Sequence, residues 1–189
     1  IFVIVGIAIL VTALMRRPAD FKGTAYEPKA AEAFDLPTAD GGRFRLEEQK
    51  GETVVLFFGF THCHDVCPLT MANLKQAVSQ MGPGAQDVQV VFVTVDPDRD
   101  TSEIVQMYAG GFDPSFIGLS GSMAELERVW TKYGIFRELE PADDHGHYEV
   151  THTARITVID PQGNLRLSFN YDAPWQDILH DLQLLADEG

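Results

Sequence analysis

The spacing of apolar residues alternates along the chain between a strand-like and a helix-like period, and this alternation predicts the order of elements. Nearly continuous apolar runs at Val54–Phe60 and Val88–Val95 are typical of strands buried on both faces. Apolar residues at helical spacing follow Pro68, Asp100 and Ser122. The last two of these segments begin with the sequence pattern of a capping box, which predicts helix starts there.

Shorter segments complete the predicted sheet. Alternating residues on either side of Asp40-Gly41-Gly42 indicate a β-hairpin over residues 34–46. Further strands are predicted at 117–119, 156–159 and 165–169, and a final amphipathic helix begins near Trp175. This order predicts an α/β, thioredoxin-like fold with an N-terminal β-hairpin and an insertion, in which the late hairpin runs antiparallel to the first central strand.

The N-terminal region has a different pattern. Residues 1–15 carry no charge, and we interpret residues 1–17 as a transmembrane anchor in front of the fold. Because the run is shorter than the roughly 20 apolar residues of a full span, we expect further residues upstream. The alternative is the core of a cleaved signal peptide, but Arg16-Arg17-Pro18 stands where a small-residue cleavage site is expected. Residues 18–33 are polar and aperiodic and predict a linker, so the globular domain is expected to comprise residues 34–189.

Charge and composition narrow the class of protein. The chain has 189 residues, 14 of them basic and 28 acidic, which gives a net charge of −14. This sign argues against a nucleic-acid partner, because phosphate binding requires positive charge. The two cysteines are too few for a disulfide scaffold, and their close spacing indicates one functional unit.

That unit is Cys63 and Cys67, which lie four positions apart between a buried strand and a helix. Pro68 suits the first residue of a helix, which would place Cys67 at or beside the N-cap and Cys63 in the preceding turn. The positive end of the helix dipole favours thiolate over thiol. Both sulfurs are therefore predicted to be biased towards reactivity or metal binding.

The predicted topology places one histidine beside this turn. His152 precedes the strand at 156–159 and should lie next to the end of the first central strand. Two thiolates and an imidazole are soft ligands that suit Cu(I) or Zn(II). A structural zinc site needs four protein ligands, and a fourth is available among His62, His64, His145 and His147. His180 is predicted to face a helix surface and to be inert.

Thiol–disulfide exchange is the competing chemistry, because it needs only Cys63 and Cys67. Thioredoxin-type oxidoreductases usually separate their cysteines by two residues and place a cis-proline before the facing strand. Here three residues separate the cysteines, and Thr151-His152-Thr153-Ala154 contains no proline. A histidine in place of that proline favours a metal site over an exchange surface.

Four motifs along the chain carry a further signal. The first is the cysteine motif at 63–68. The others are Val93-Thr94-Val95-Asp96-Pro97-Asp98-Arg99-Asp100-Thr101, the segment 116–121, and Val150-Thr151-His152-Thr153 followed by Ile159-Asp160-Pro161-Gln162-Gly163. Together these motifs resemble those of the SCO/SenC family of membrane-anchored copper chaperones for cytochrome c oxidase. The resemblance covers about residues 34–185. Two departures are His64, which replaces the usual proline of the cysteine motif, and Thr151, which replaces an aspartate that could orient the histidine.

The resemblance implies that Cys63, Cys67 and His152 bind copper, as Cu(I), and it leaves open whether Cu(II) is also bound. It implies delivery to the copper A centre of cytochrome c oxidase subunit II, with the copper supplied by a donor protein. It also implies a single-pass protein of the bacterial inner membrane facing the periplasm, or of the mitochondrial inner membrane facing the intermembrane space. Arg16 and Arg17 alone would favour the opposite orientation. The alternatives are a thiol–disulfide oxidoreductase that keeps the copper A cysteines reduced, with Cys63 and Cys67 catalytic, and a redox or copper sensor.

Overall fold

The computed structural model describes residues 20–188, which form a mixed sheet with helices packed against it. The strands are β1 (Thr24–Ala30), β2 (Asp35–Pro37), β3 (Arg43–Arg45), β4 (Thr53–Gly59), β5 (Val88–Thr94), β6 (Ile117–Leu119), β7 (Arg137–Leu139), β8 (Val150–His152), β9 (Arg155–Ile159) and β10 (Asn164–Asn170). The helices are α1 (Val66–Ser79), α2 (Ser102–Phe112), α3 (Met123–Tyr133) and α4 (Trp175–Glu188). Two 3-10 turns, Leu46–Glu48 and Gly82–Asp87, complete the elements.

The main sheet has the strand order β1-β10-β9-β4-β5-β6. Strands β4, β5 and β6 are parallel, whereas β9 runs antiparallel to β4 and β10 antiparallel to β9. The predicted thioredoxin-like α/β architecture is therefore confirmed, including the N-terminal hairpin β2–β3 and the antiparallel late hairpin. This arrangement brings the end of β4 and the beginning of β9 to the same end of the sheet.

The core lies on both faces of β4, as the uninterrupted apolar run predicts. All seven residues of β4 are buried. Phe57 packs on Phe92, which in turn contacts Tyr108 of α2. The adjacent Phe58 packs on Tyr133 of α3. Because neighbouring side chains of a strand point to opposite faces, α2 and α3 cover opposite faces of the sheet.

Two helix starts differ from the sequence prediction. The N-cap of α1 is Asp65, so Cys67 and Pro68 are the second and third helical residues rather than the cap and the first. Proline is tolerated there because the first-turn N–H groups have no partner within the helix. The N-cap of α2 is Thr101, whose side chain accepts from the Ile104 N–H, whereas Asp100 is buried and serves another purpose. The capping box of Ser122 and Glu125 at α3 is confirmed.

The predicted linker is wrong for residues 24–30, which form β1 at the edge of the main sheet. All seven residues of β1 are exposed, so the strand has no buried apolar face that the sequence pattern would reveal. Backbone pairing with β10 holds it, and the buried Asp181 accepts hydrogen bonds from the N–H groups of Lys22 and Gly23. The expected anchor at 1–17 lies outside the described residues. Within residues 20–188, no helix is both long and apolar enough to span a bilayer.

A second element that the sequence pattern does not predict is the hairpin β7–β8. Arg137 pairs with His152 and Leu139 with Val150, and this two-stranded sheet is paired with no other strand in the described part of the chain. The hairpin carries His152 at its base, where β8 leads into β9. It therefore connects the predicted histidine ligand to the central sheet.

Candidate metal centre

The end of β4 opens into a loop that carries the two cysteines. A carboxylate beneath the loop fixes its first residue: Asp100 accepts the Thr61 N–H at 3.0 Å and the Thr61 hydroxyl at 2.5 Å. The Thr94 hydroxyl donates to the same carboxylate at 2.7 Å. Asp100 is fully buried, so these hydrogen bonds tie the cysteine loop to the end of β5 away from competing water.

The two sulfurs are free thiols that lie at different depths. Cys67 is fully buried in the first turn of α1, whereas Cys63 is partly exposed. The Cys67 N–H donates to Cys63 Sγ at 3.4 Å. A glycine makes room for the buried sulfur: a Cβ on Gly59 would lie 2.7 Å from Cys67 Sγ and 2.9 Å from the Phe92 ring.

The environment separates the acidities of the two thiols. The pKa of Cys63 is lowered to about 5, first because the Cys67 thiol donates a hydrogen bond to it and then because the N–H groups of Cys67 and Asp65 do so. The pKa of Cys67 is raised, because its proton is held by Cys63 and because burial disfavours a second thiolate. The prediction of two thiolate-prone sulfurs is thus right for Cys63 and wrong for Cys67 in the metal-free protein.

His152 lies where the topology predicts it, against the end of β4. Its ring meets the Phe60 ring edge to face, with centroids 5.8 Å apart. Its Nδ1 lies 3.1 Å from the Thr153 carbonyl oxygen, which only accepts hydrogen bonds, so Nδ1 carries the proton and Nε2 keeps its lone pair. Burial lowers the pKa of His152, which favours the neutral imidazole that a metal requires.

The three predicted ligands share one region but do not form a closed cage. Cys63 and His152 share the neighbour Phe60: the His152 ring packs against the Phe60 ring, and the Cys63 N–H donates to the Phe60 carbonyl at 3.3 Å. Within residues 20–188, no group of three histidine, cysteine or acidic side chains lies close enough together to hold a metal ion as it stands.

Of the remaining histidines, His62 and His64 flank Cys63 in the same loop, whereas His145, His147 and His180 lie on other elements. His64 is largely exposed, with Nδ1 3.9 Å from Glu149, and His62 Nδ1 lies 3.8 Å from Asp100. His145 and His147 lie in an exposed turn organised by Asp143, which accepts the N–H groups of both. The His180 Nδ1 lies 2.8 Å from the Asp181 carboxylate in α4.

Comparison with known proteins shows which family the chain belongs to. Residues 22–187 match the model of the SCO1/SenC family. The chain belongs to the SCO1/SenC family. The human mitochondrial protein SCO2 homolog is 38% identical over 125 residues, which cover 65% of this chain and 47% of the human protein. The chain thus aligns with about half the length of this mitochondrial relative.

Two solved SCO structures have the same fold. The solution structure of apo Sco1 from Thermus thermophilus is 40% identical and has a TM-score of 0.81, covering 89% of this chain and 99% of that one. ScoI from Bradyrhizobium japonicum, solved with copper bound, is 34% identical and has a TM-score of 0.75, covering 83% of this chain and 99% of that one. The predicted membership of the SCO/SenC family is therefore confirmed.

The two departures from the SCO/SenC motifs lie on the surface. The Thr151 hydroxyl donates to Glu140 at 2.8 Å, away from the His152 ring. The ring instead donates its Nδ1–H to the Thr153 carbonyl, a backbone acceptor that any residue supplies. A threonine at 151 is thus compatible with a correctly oriented imidazole.

Sequence reasoning missed three residues that surround the ligands. Asp96 and Asp100 are fully buried carboxylates, and Arg99 lies between them on the same turn. The sequence signal was present, because all three belong to the motif at 93–101. The periodicity of apolar residues gives no information about the residues of a turn. Asp100 also matches the sequence pattern of a helix cap, and this match concealed its contact with the cysteine loop.

Proposed function

We propose that this SCO/SenC protein binds Cu(I) through Cys63, Cys67 and His152 and delivers it to the copper A centre of cytochrome c oxidase subunit II. The observation that carries the proposal is the pairing of a low-pKa thiol with a neutral imidazole at one end of the sheet. Two sulfurs and one nitrogen are the soft donors that Cu(I) prefers. The copper bound in the Bradyrhizobium relative supports the same cargo for this chain.

Loading has a defined proton balance. In the metal-free protein, the two sulfurs hold one proton between them, and that proton is bound to Cys67. Coordination by both sulfurs requires two thiolates, so binding Cu(I) releases the Cys67 proton. A disulfide between the cysteines would remove both thiolates, and loading should therefore require reduced protein.

Delivery follows from a three-coordinate site at a domain edge. Cys63 is partly exposed, so an incoming thiolate of the acceptor can reach the metal and replace one ligand at a time. Copper then passes between proteins without being released into solution. The excess of acidic residues would favour docking on a basic surface of the partner.

We place the domain on the outer side of a bacterial inner membrane, with the mitochondrial intermembrane space as the alternative. The mitochondrial location named for the human relative supports a membrane-associated setting. The sequence of residues 1–17 supports an anchor, which would hold the protein on the membrane that carries its acceptor. A fusion reporter that is active only in an oxidising compartment tests this placement, and reporter activity in the cytoplasm would refute it.

The decisive experiment compares copper binding and oxidase assembly in the same variants. The reduced protein should bind one Cu(I), with X-ray absorption reporting two sulfurs and one nitrogen. In cells that lack their own SCO protein, wild type should restore copper A loading, whereas Cys63→Ala and His152→Ala should not. The matched control is His180→Ala, which removes an imidazole on α4. Unchanged Cu(I) affinity in His152→Ala would refute the histidine assignment.

Thiol–disulfide reduction of the copper A cysteines is the second candidate. One observation favours it: an accessible sulfur of low pKa beside a buried sulfur is the arrangement of an attacking and a resolving cysteine. This activity needs both cysteines and no imidazole. Full oxidase activity with His152→Ala, together with none from Cys63→Ala, would select reduction over copper delivery.

A further inference from the structure

We propose that the turn between β5 and α2 is a bracket that positions both halves of the metal site, with Asp96, Arg99 and Asp100 as positioning residues. The inference rests on the proposed function, because it concerns the placement of His152 relative to Cys63 and Cys67. The name bracket is used below for residues 95–101. None of the three side chains is a predicted ligand, yet each contacts a segment that carries one.

One arm of the bracket holds the cysteine loop. Asp100 accepts from both the N–H and the hydroxyl of Thr61, two residues before Cys63. The backbone of Asp100 is also held, since the Ser120 hydroxyl donates to the Asp100 carbonyl at 2.5 Å. The carboxylate is thus buried, fully hydrogen-bonded and tied to β5 through Thr94, so it can fix where the loop leaves β4.

The other arm holds the hairpin that carries the histidine. The Tyr148 hydroxyl donates to Asp96 at 2.9 Å, and Arg99 Nη1 donates to the Tyr148 carbonyl at 2.9 Å. The Arg99 guanidinium lies 3.7 Å from the centre of the Tyr148 ring and forms an ion pair with Asp96. Tyr148 therefore has its ring, hydroxyl and carbonyl all engaged, four residues before His152.

This arm acts on a hairpin with few other attachments. Strands β7 and β8 pair with each other and with no further strand in the described residues. Arg137 Nε adds a hydrogen bond to the Val95 carbonyl, again within the bracket. Arg99 also lies 5.8 Å from the Phe60 ring, whose own neighbour is the His152 ring. The bracket thus contacts strand β7 at Arg137 and, through Tyr148, the segment that leads into β8, and Arg99 lies near the aromatic ring against which the imidazole packs.

The contacts of Arg99 indicate that it positions the hairpin, in addition to any contribution to folding stability. Its Nη2 is buried and has no hydrogen-bond partner among the described residues, and the same is true of Arg137 Nη2. Arg166, at the other end of the sheet, also has a buried nitrogen without a hydrogen-bond partner, so the positioning role of Arg99 rests on its contacts with Tyr148. The guanidinium plane of Arg99 covers the ring of Tyr148, and lysine cannot reproduce that stacking.

The first test uses the reduced, metal-free full chain, so it does not depend on copper. Arg99→Lys keeps the charge but removes the stacking and the forked hydrogen bonds. It should accelerate amide hydrogen exchange of the hairpin residues 150–152 by about tenfold or more and leave the Cys67 amide within about twofold of wild type. Asp100→Asn should do the reverse, with faster exchange at Thr61 and little change at His152. Equal acceleration at both places in either variant would overturn the two-arm assignment.

The second test measures Cu(I) affinity in a double-mutant cycle. Arg99→Lys should weaken Cu(I) binding about tenfold in wild type, as expected for loss of a group that orients a ligand, but by less than twofold in a His152→Ala background. Tyr148→Phe should behave in the same way with a smaller effect. An equal loss in both backgrounds would overturn positioning of His152.

The control is Arg166→Lys, at the opposite end of the sheet. Arg166 is similarly buried and paired with Asp160 and Glu188, so its loss should cost stability without changing hairpin exchange or Cu(I) affinity by more than twofold. The proposed function and the bracket can be refuted independently of each other. If His152→Ala binds Cu(I) as tightly as wild type, the ligand assignment of the proposed function fails, and the metal-free exchange pattern still decides whether the bracket positions the hairpin.

Discussion

The two halves of the candidate site are built in different ways. The cysteines lie where a fully buried strand leads into a long helix, and the Asp100 carboxylate adds hydrogen bonds to Thr61 in the intervening loop. His152 lies at the base of a separate two-stranded hairpin, which side chains of the bracket attach to the rest of the protein. The thiol half is therefore preformed by regular structure, whereas the imidazole half depends on a few contacts that can be removed singly.

The difference fits the proposed function, in which the protein both holds and releases copper. In that function the thiol pair would keep two donors in place, and the third donor, on a separate hairpin, would complete the site. The following predictions test the contrast, from the largest effect to the smallest.

Removing either sulfur should have the largest effect on copper binding. Cys63→Ser and Cys67→Ser should each lose nearly all Cu(I) affinity, because one thiolate and one imidazole form a poor chelate. His152→Ala should lose less, because the thiol pair remains intact. Competition against a Cu(I) chelator measures all three. A larger loss for His152→Ala than for Cys67→Ser would contradict the view that the thiol half dominates.

Gly59→Ala should lower the free energy of unfolding by about 1–3 kcal/mol, as overpacking of a core does. The added Cβ would meet Cys67 Sγ at 2.7 Å and the Phe92 ring at 2.9 Å, and neither can retreat from a buried site. Denaturant unfolding of the reduced protein measures the change.

Gly111→Ala in α2 is the matched control for that substitution. A Cβ there has no neighbour within 4 Å, so the change should raise stability by about 0.5–1 kcal/mol through helix propensity. An unchanged free energy of unfolding in Gly59→Ala would mean that the side chains around Cys67 can rearrange more easily than their packing indicates.

The pH dependence of alkylation should separate the two sulfurs. Cys63 should react with iodoacetamide at a rate that stays level above about pH 6 and falls through its pKa of about 5, while Cys67 stays protected by burial. The midpoint is the informative quantity, because a thiolate of low pKa is also a weaker nucleophile. A midpoint near 8.5, the ordinary value for cysteine, would contradict the hydrogen bond from Cys67.

The same shift should appear in stability. The folded state loses the Cys63 proton near pH 5 and the unfolded state near pH 8.5, so between these values the unfolded state binds more protons. Stability should therefore rise with pH across this window and fall as pH drops through 5. In Cys63→Ser, this part of the pH dependence should be absent.

The smallest effect is expected from a helix cap remote from both halves. Ser122→Ala should cost about 1 kcal/mol of stability by removing the capping box of α3, with copper affinity unchanged. Hydrogen bonds from Ser122, and next in importance from Arg43, lower the pKa of Glu125 to about 2. The contribution of ionised Glu125 to stability should therefore persist above about pH 4.5 and disappear as pH falls towards 2. Thermal unfolding at pH 7 and pH 3 checks both statements, and altered copper affinity would show that the cap is not independent of the site.

The sequence by itself determined the elements whose patterns are local and strong. The apolar run of β4, the helical spacing after Pro68 and the capping box at Ser122 each specify an element by burial or by hydrogen bonds within a few residues. The order of those elements was enough to predict the sheet, and the antiparallel return of β9 was enough to predict where His152 would lie. The SCO/SenC motifs then indicated the family correctly.

Only the tertiary structure decided what depends on partners distant in the chain. Strand β1 has no buried side chain and exists because β10 offers it a free edge, which no local pattern can reveal. The unequal acidities of Cys63 and Cys67 arise from a shared proton and from burial rather than from the helix dipole that both feel. Asp100 resembles a helix cap in sequence but faces Thr61, 39 residues earlier, because the end of β5 is packed beside the end of β4.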